Sequence, residues 1–354
     1  MDDTKRYETV DLPFYRAEVA PLLPDRILDF HAHVWRTQDW KEVPWKKKAP
    51  GTRYMVTEQR YTIQSLQQDG RRMFPGKHYG AVCFGIPTPA ANLEKTNAYA
   101  ATAARVPGLY PLRITGKESL GRGELERQIV EQGFSGYKVF LNWQGNDYGK
   151  IRVQDMIGPD EMEIADRRGL VVLLHVPRDG RLADPVVQAG VRELSRDYPG
   201  AKIVLAHCGR AYLPAEMKKA VKSIADLKNV YLDTSMVMDP TVLQMVFEHV
   251  DSARVLFATD LPVAAMRGRR VYVMDHWVDV VLRGYPKSAC RISADEIRAT
   301  FMVYEIILAI QQAGEMAGLK AGRIRDVFCA NGMALLDRVK SDRRRQKEKV
   351  TRDE

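Results

Sequence analysis

Short apolar segments rich in β-branched residues recur along the chain and alternate with stretches whose apolar positions have helical spacing. Several of these segments are apolar at nearly every position, as expected for strands that are covered by helices on both faces. The alternation predicts repeated βα units and a parallel sheet. The predicted strands span residues 27–34, 79–86, 109–115, 136–141, 170–176, 201–207, 229–235 and 254–260.

Helix boundary signals separate the predicted strands. Asp184-Pro185 and Asp239-Pro240 each place a capping side chain before a proline that suits the first helical turn, and Gly169 and Gly200 lie between a helix and a strand. No glycine-rich G-x-G-x-x-G turn follows the first strand, which disfavours a doubly wound dinucleotide-binding sheet. We therefore predict an α/β fold of the (β/α)8 barrel class, with a long loop after strand 1 and extra C-terminal helices.

Residues 1–354 are predicted to form a single barrel domain, with a barrel core at about 25–335 and a basic tail at about 338–354. The connection at residues 35–78 is longer than usual in α/β units and carries Trp35, Trp40, Trp45 and the run Lys46-Lys47-Lys48. It should lie on the catalytic face, either as a lid or as a structural cap over the barrel mouth.

Composition limits the class of protein further. The chain is 45% apolar, has no long uninterrupted apolar run and begins with a charged segment, which predicts a soluble, cytoplasmic protein. The four cysteines are far apart and form no C-x-x-C pair, so neither disulfides nor a sulfur-rich zinc site is expected.

Almost half of the formal net charge of +9 comes from one segment, since residues 338–354 hold eight Lys or Arg against four Asp or Glu. A mixed-charge tail of this kind is typical of a solvated chain end rather than a nucleic-acid-binding arm. We expect a small-molecule substrate, no nucleic acid or membrane partner, and possible homodimer formation through the apolar helices late in the chain.

Histidines and an aspartate occur where a barrel enzyme places its chemistry. His31 and His33 lie two apart in the first strand and therefore face the same side. His175, His207 and Asp260 fall at the ends of the fifth, sixth and eighth predicted strands, the end at which barrels carry their active sites. Imidazole and carboxylate donors suit one divalent ion, above all zinc, with manganese, iron or nickel also compatible.

These segments resemble motifs of the amidohydrolase superfamily, in particular its metal-dependent hydrolases and decarboxylases related to aminocarboxymuconate-semialdehyde decarboxylase. The resemblance runs from strand 1 to the end of the chain and rests on DFHAHVW, LLHVP, LAHCGR, FATDLP and VFCANGMALL. It implies that His31, His33 and His175 bind the metal and that Asp260 binds it or holds its water. By the same resemblance His207 is an acid/base or electrostatic group.

Three basic residues near these motifs are candidate substrate-binding groups. Lys138 in GYKVFL is either a group contacting an anionic substrate or a carboxylate, a carbamylated ligand bridging two metals, or a surface lysine. Arg178 and Arg210 follow the fifth and sixth strands and could recognise a substrate carboxylate or pair with acids such as Asp179.

The remaining histidines, and the cysteine that directly follows His207, are expected to have no catalytic role. Cys208 should pack outward, because neighbouring strand residues point to opposite faces. His78, His249 and His276 have no partners in the sequence.

Three functions are compatible with the sequence. The first is hydrolysis of a lactone, ester or amide of a small, carboxylate-bearing substrate by metal-activated water. The second is metal-dependent, non-oxidative decarboxylation of an unsaturated or aromatic acid. The third is a barrel that binds metal without catalysis.

Overall fold

The structure of the protein is a computed structural model that describes residues 2–41, 59–86, 88–115, 120–140, 149–282, 290–292 and 299–339. A strand forms within each of the eight predicted segments, and the third contains two short strands separated at Leu112. The strands are β1 Arg26–His33, β2 His78–Phe84, β3 Leu109–Pro111, β4 Arg113–Ile114, β5 Gly136–Val139, β6 Val171–Leu174, β7 Lys202–Leu205, β8 Val230–Asp233 and β9 Val255–Leu256.

All neighbouring strands of this series pair in parallel. They form the sheets β1-β2-β3 and β4-β5-β6-β7-β8-β9, and Leu112 joins the two by donating its N–H to the carbonyl oxygen of Cys83, 2.8 Å away. At the other edge, Phe30 N donates to Phe257 O over 2.8 Å and Ala32 forms a parallel bridge with Leu261. Backbone hydrogen bonds thus connect the first and last strands, and the predicted (β/α)8 barrel is confirmed.

Helices connect and flank these strands. Asp184 and Asp239 cap α7 and α9 as predicted, each accepting a backbone N–H at 2.8 Å. None of the described helices is both long and apolar enough to span a membrane. The helices are α1 Asp3–Arg6, α2 Leu12–Phe14, α3 Ile63–Met73, α4 Leu93–Ala101, α5 Arg122–Glu131, α6 Pro159–Arg168, α7 Pro185–Asp197, α8 Pro214–Ala220, α9 Pro240–His249, α10 Met302–Met316, α11 Ala321–Val327 and α12 at 330–339.

The first long connection is more ordered than the sequence suggests. Trp35 is fully buried, with its ring 6.5 Å from that of Trp40 and 5.8 Å from that of Tyr61, and α3 occupies much of the connection. The described part of residues 35–78 is therefore built into the barrel wall. Trp45 and Lys46-Lys47-Lys48 lie outside the described residues, as do residues 340–354 of the basic tail.

Two elements were missed from the sequence. Helical turns occupy residues 3–22 and are held partly by Arg267, whose Nε donates to Asp11 over 2.8 Å. Beyond β9, strand β10 (Gly268–Val273) pairs antiparallel with β11 (His276–Leu282), and β12 (Cys290–Ile292) pairs parallel with β11. Alternating residues in RRVYV and HWVDVVL carry the signal for this hairpin.

Arg254 holds the amino-terminal end of the barrel together. It is buried and lies immediately before β9. Its Nη1 donates to the carbonyl oxygens of Leu227 at 2.6 Å and Val230 at 3.0 Å, and its Nη2 to that of Ala225 at 2.6 Å. This is the barrel face opposite the predicted site, where such contacts serve stability.

Replacing Arg254 by alanine should lower the free energy of unfolding by about 3 kcal/mol, because several buried carbonyl groups lose a charged donor. Denaturant unfolding followed by circular dichroism measures the change. Arg192→Ala is the matched control: its pair with Asp226 is exposed, so the loss should stay below about 1 kcal/mol. Equal losses in the two variants would contradict this role.

Candidate metal centre

Strand β1 delivers two histidines to the carboxyl end of the barrel. His31 and His33 are each 1% exposed, and their ring centroids lie 5.5 Å apart. Both rings point at Asp260: its Oδ1 lies 3.4 Å from His31 Nε2 and 2.9 Å from His33 Nε2. The side chains therefore converge as the two-residue spacing predicts.

His207 and Asp260 lie on turns beyond the strands, not at the strand ends. β7 ends at Leu205 and β9 at Leu256. His207 and Asp260 have φ values of 55° and 68°, in the left-handed region that residues other than glycine rarely adopt. In these turns both side chains reach the site, where the His207 ring centroid lies 4.9 Å from that of His31.

The left-handed turn also alters the expected position of Cys208. Its φ is 49°, so strand alternation does not apply there. The thiol is buried and donates to the carbonyl oxygen of Asp233 over 3.3 Å, and burial raises its pKa well above the usual value. Cys208 is thus an inert packing residue beside the site.

His175 follows β6 directly and completes the group of four imidazoles. Its backbone N–H donates to Val139 O over 3.0 Å, and its ring centroid lies 5.3 Å from that of His207. Its Nδ1 is buried and has no hydrogen-bond partner among the described residues. An unpaired buried ring nitrogen is uncommon and marks a position open to a ligand or a metal.

Asp233 at the end of β8 was not singled out from the sequence, although it is a fully buried carboxylate in the centre of the site. Its Oδ2 lies 2.8 Å from His31 Nδ1. Its Oδ1 accepts from His207 N at 2.7 Å, from Ser235 N at 3.1 Å and from the Ser235 hydroxyl. The sequence signal that could have identified Asp233 is its position as a polar residue at the end of the apolar run in NVYLDTS.

These contacts determine which nitrogen of each ring faces the site. A carboxylate only accepts hydrogen bonds, so His31 carries its proton on Nδ1 and presents the Nε2 lone pair. His207 Nδ1 lies 3.1 Å from the carbonyl oxygen of Ser235, which likewise requires the proton on Nδ1. Both Nε2 atoms are thereby prepared to accept a proton or a cation.

Burial sets the charges of the cluster. It lowers the pKa values of His31, His175 and His207, so all three imidazoles are neutral near pH 7. Burial alone would raise the pKa of Asp260, but the hydrogen bond from His33 and the surrounding imidazoles outweigh it and lower that pKa. Neutral imidazoles beside an ionised carboxylate are the protonation states in which these groups bind a divalent cation.

A second buried carboxylate supports the strand that carries the histidines. Asp29 Oδ1 accepts from His31 N and Thr259 N, both at 3.0 Å, and its Oδ2 accepts from the Tyr79 hydroxyl at 2.7 Å. Burial raises the pKa of Asp29 to about 7. Asp29 therefore positions His31 from beneath the site, a role that the sequence analysis did not identify.

Lys138 is completely buried, so the interpretation as a surface lysine is wrong. Its Nζ lies 3.4 Å from His31 Nε2 and 4.8 Å from the ring centroid of Phe84. Burial lowers its pKa to about 8. The structure thus places the amino group inside the cluster, where it can meet a substrate or a metal-bridging group.

The two arginines differ in their contacts. Arg178 Nε donates to Asp184 Oδ2 over 2.8 Å, an ion pair that also lowers the pKa of Asp184. Arg210 Nη1 donates to Val176 O over 3.0 Å, and its positive charge is one of the influences that lower the pKa of His175. Arg178 is therefore engaged by a structural acid, whereas Arg210 lies close to the histidine cluster.

The donor geometry fits one metal ion. Ligand atoms of His31, His207 and Asp260 all lie within 4.8 Å of one another. Donors around a tetrahedral zinc ion are roughly 3.3 Å apart, given bond lengths of about 2.0–2.2 Å, and the 3.4 Å between His31 Nε2 and Asp260 Oδ1 matches that spacing. This cluster could hold a divalent cation, with His33 and His175 beside it.

A parallel (β/α)8 barrel with buried histidines and an aspartate at the carboxyl ends of its strands defines a class of metal-dependent barrel enzymes. The amidohydrolase family model matches residues 28–282, and the chain belongs to this family. Its members are metal-dependent enzymes and include hydrolases, hydratases and decarboxylases. The comparison with curated protein sequences gave no significant match.

Solved structures share the fold at low sequence identity. A Burkholderia multivorans amidohydrolase with bound zinc is 14% identical, with a TM-score of 0.54 over 88% of this chain and 99% of its own. The 4-oxalomesaconate hydratase of Rhodopseudomonas palustris is 16% identical, with a TM-score of 0.54 over 91% and 99%. The 5-carboxyvanillate decarboxylase of Sphingomonas paucimobilis is 13% identical, with a TM-score of 0.54 over 89% and 99%.

Asp233→Asn should reverse the His31 tautomer. Three donors hold the oxygen at the Oδ1 position, so the new amide group faces His31 Nδ1 and forces the ring proton onto Nε2. Long-range 1H–15N spectra of metal-free protein labelled on histidine would detect the change, and metal affinity should fall by about tenfold or more. Asp226→Asn, which removes the same charge at an exposed site, should alter neither quantity; an unchanged His31 spectrum in Asp233→Asn would contradict the assignment.

Proposed function

We propose that the protein is a metal-dependent hydrolase that cleaves a lactone, ester or amide bond in a small, carboxylate-bearing substrate. The observation that carries the proposal is the convergence of neutral imidazoles on the ionised Asp260 at the carboxyl ends of the strands. His31, His33, His175 and Asp260 would hold one divalent cation, while His207, whose ring also lies within reach of the cation, would remain free to carry a proton. Zinc suits these nitrogen and oxygen donors best, and zinc is present in the Burkholderia multivorans relative.

The bound cation would lower the pKa of water toward neutrality and polarise the substrate carbonyl. Asp260, held ionised by its surroundings, would accept a proton from the attacking water. His207 is neutral and has its proton on Nδ1, so its Nε2 can take up a proton and deliver it to the leaving group. Two separate groups would thus move the proton from water to product.

Arg210 is the group that we assign to the substrate carboxylate. Among the described residues, only its Nη1 makes hydrogen bonds, to Val176 O and Arg178 O, so Nε and Nη2 are available as a fork. Arg178 forms an ion pair with Asp184, and we therefore assign Arg178 the structural role of holding the turn on which it lies. Lys138, buried beside His31, would add a second cation for an anionic substrate.

Non-oxidative decarboxylation is the second candidate, and the position of Lys138 supports it as well. A buried amino group 3.4 Å from His31 Nε2 would suit a carboxylate drawn into the cluster, and the similar Sphingomonas paucimobilis protein is a decarboxylase. Release of carbon dioxide from an aromatic or unsaturated acid, without uptake of water, would identify this reaction. Family membership makes a non-catalytic barrel the least favoured reading.

Metal content tests the proposed ligands. Elemental analysis of protein purified without chelator should give about one divalent ion per chain, and His31→Ala and His175→Ala should each lose it together with activity. His249→Ala is the matched control, because that ring is exposed on α9 and, among the described residues, hydrogen-bonds only to Met245 O. Full metal content in both site variants would refute the ligand set, while two ions per chain would indicate that Lys138 bridges them as a carbamate.

Asp260→Asn tests the proton path. The amide is a poor proton acceptor, so kcat for a lactone or aryl ester found by screening should fall by about 100-fold or more. Circular dichroism and thermal unfolding should remain close to those of the unmodified protein. Unchanged turnover would show that Asp260 does not transfer the proton, whether or not the variant still binds metal.

A further inference from the structure

A cleft of about 170 Å³ lies between the β10–β11 hairpin and the segment that follows β8. Nothing in the sequence analysis pointed to it, because neither wall was assigned a role. The lining combines three aromatic and two thioether side chains with two valines, two arginines and Asp239. The lining residues on which the argument depends are Tyr212, Met236, Met238, Arg269, Arg270 and Trp277.

The cleft adjoins the metal centre, because two of its lining residues, Tyr212 and Met236, lie beside the histidine cluster. Tyr212 stands between them: its ring centroid lies 6.0 Å from that of His207 and 5.5 Å from that of Trp277. On the other side, Met236 directly follows Ser235, whose hydroxyl lies 2.8 Å from His207 Nδ1. A substrate whose reacting bond is at the histidines would therefore extend its remote part into the cleft.

The hairpin wall is rigid, flat and electrically balanced. The Arg270 guanidinium lies 3.9 Å from the ring centroid of Trp277 and 4.8 Å from that of Tyr212. Its charge is matched by Asp279, which accepts from Nε at 2.8 Å and from Nη2 at 3.0 Å. Because Arg270 is neutralised in this way and covers one face of Trp277, the wall offers the remaining aromatic surface rather than an ion pair.

The hairpin is also anchored to the opposite wall. Arg270 N donates to Met238 Sδ over 3.1 Å, and Arg269 Nη2 donates to Met238 O over 3.3 Å. The cleft is therefore held open at a fixed width by contacts between its sides. A preformed cleft of this kind favours a rigid ligand over a flexible one, because less conformational freedom is lost on binding.

We propose that this cleft is the specificity subsite of the enzyme and receives an aromatic ring of the substrate. An apolar cavity of about 150 Å³ accommodates benzene, so the volume suits one six-membered ring. Arg269 at the rim has a side chain about half exposed and pairs with Glu305 over 3.4 Å. The inference rests on the proposed function and narrows its substrate class to aryl carboxylic acids and their esters, lactones or amides.

The experiment uses benzoate and cyclohexanecarboxylate as probes, since they share a carboxylate and a six-membered skeleton but differ in planarity. Their dissociation constants are measured by saturation-transfer NMR and calorimetry on the full-length protein, with metal content determined on the same samples. Benzoate should bind about tenfold more tightly than cyclohexanecarboxylate. Trp277→Leu should abolish that preference, and Trp277→Phe, which keeps a ring, should restore most of it.

Tyr198→Leu is the matched control, because Tyr198 follows α7 and lines a different cavity, beside Arg122 and Glu163. It should leave the preference for benzoate unchanged. Equal affinity for the two probes, no benzoate binding at millimolar concentration, or an unaltered preference in Trp277→Leu would each overturn the subsite. Loss of the preference in Trp277→Leu with unchanged metal content supports it.

The two proposals fail separately. A protein that contains no metal but still prefers benzoate through Trp277 would disprove the metal-dependent reaction and leave the aromatic subsite standing. A protein that contains metal and hydrolyses a substrate, but shows no preference for a planar ring, would support the metal-dependent reaction and disprove the aromatic subsite.

Discussion

The arrangement of the site depends on the buried carboxylate of Asp233. It holds His31 through one oxygen, and with the other it holds the backbone of the left-handed turn at His207 and the side chain of Ser235. A buried carboxylate is costly unless each oxygen is satisfied, so these contacts are mutually required. The same contacts orient two imidazoles with their Nε2 lone pairs toward Asp260. Position, tautomer and burial of the cluster therefore derive from one residue at the end of β8.

Charge balance within the cluster explains its suitability for a cation. Burial lowers the pKa values of His31 and of Lys138, which limits positive charge, while Asp260 stays ionised. A divalent ion would offset the negative carboxylates of Asp233, which is fully buried, and Asp260, whose side chain is 16% exposed. The left-handed backbone at His207 and Asp260 brings the remaining donors inward at an energetic cost that a functional site commonly bears.

The hairpin after β9 forms one wall of the proposed substrate cleft beside the metal centre. Barrel enzymes differ from one another mainly in the loops at the carboxyl ends of their strands. The residues that catalyse the reaction and the residues that select the substrate can therefore lie on different segments. Here the barrel strands and the turns that follow them supply the candidate metal ligands, and the β10–β11 hairpin supplies Trp277 and Arg270. Tyr212 belongs to both, since its ring lies near His207 and near Trp277.

The sequence by itself determined the eight strands, the capped helices and the edge of the barrel at which His31, His33, His175, His207 and Asp260 would meet. Those features follow from local periodicity and from a geometry that brings all strand ends to one face. The sequence of the β10–β11 hairpin showed only a local alternation of apolar and polar residues. Such a pattern does not indicate where the hairpin packs. Tertiary structure alone decided the burial of Lys138 and the contact of Asp233 with His31, because that pair is 202 positions apart in the chain. Such contacts depend on how distant turns are brought together, which no local pattern of residues encodes.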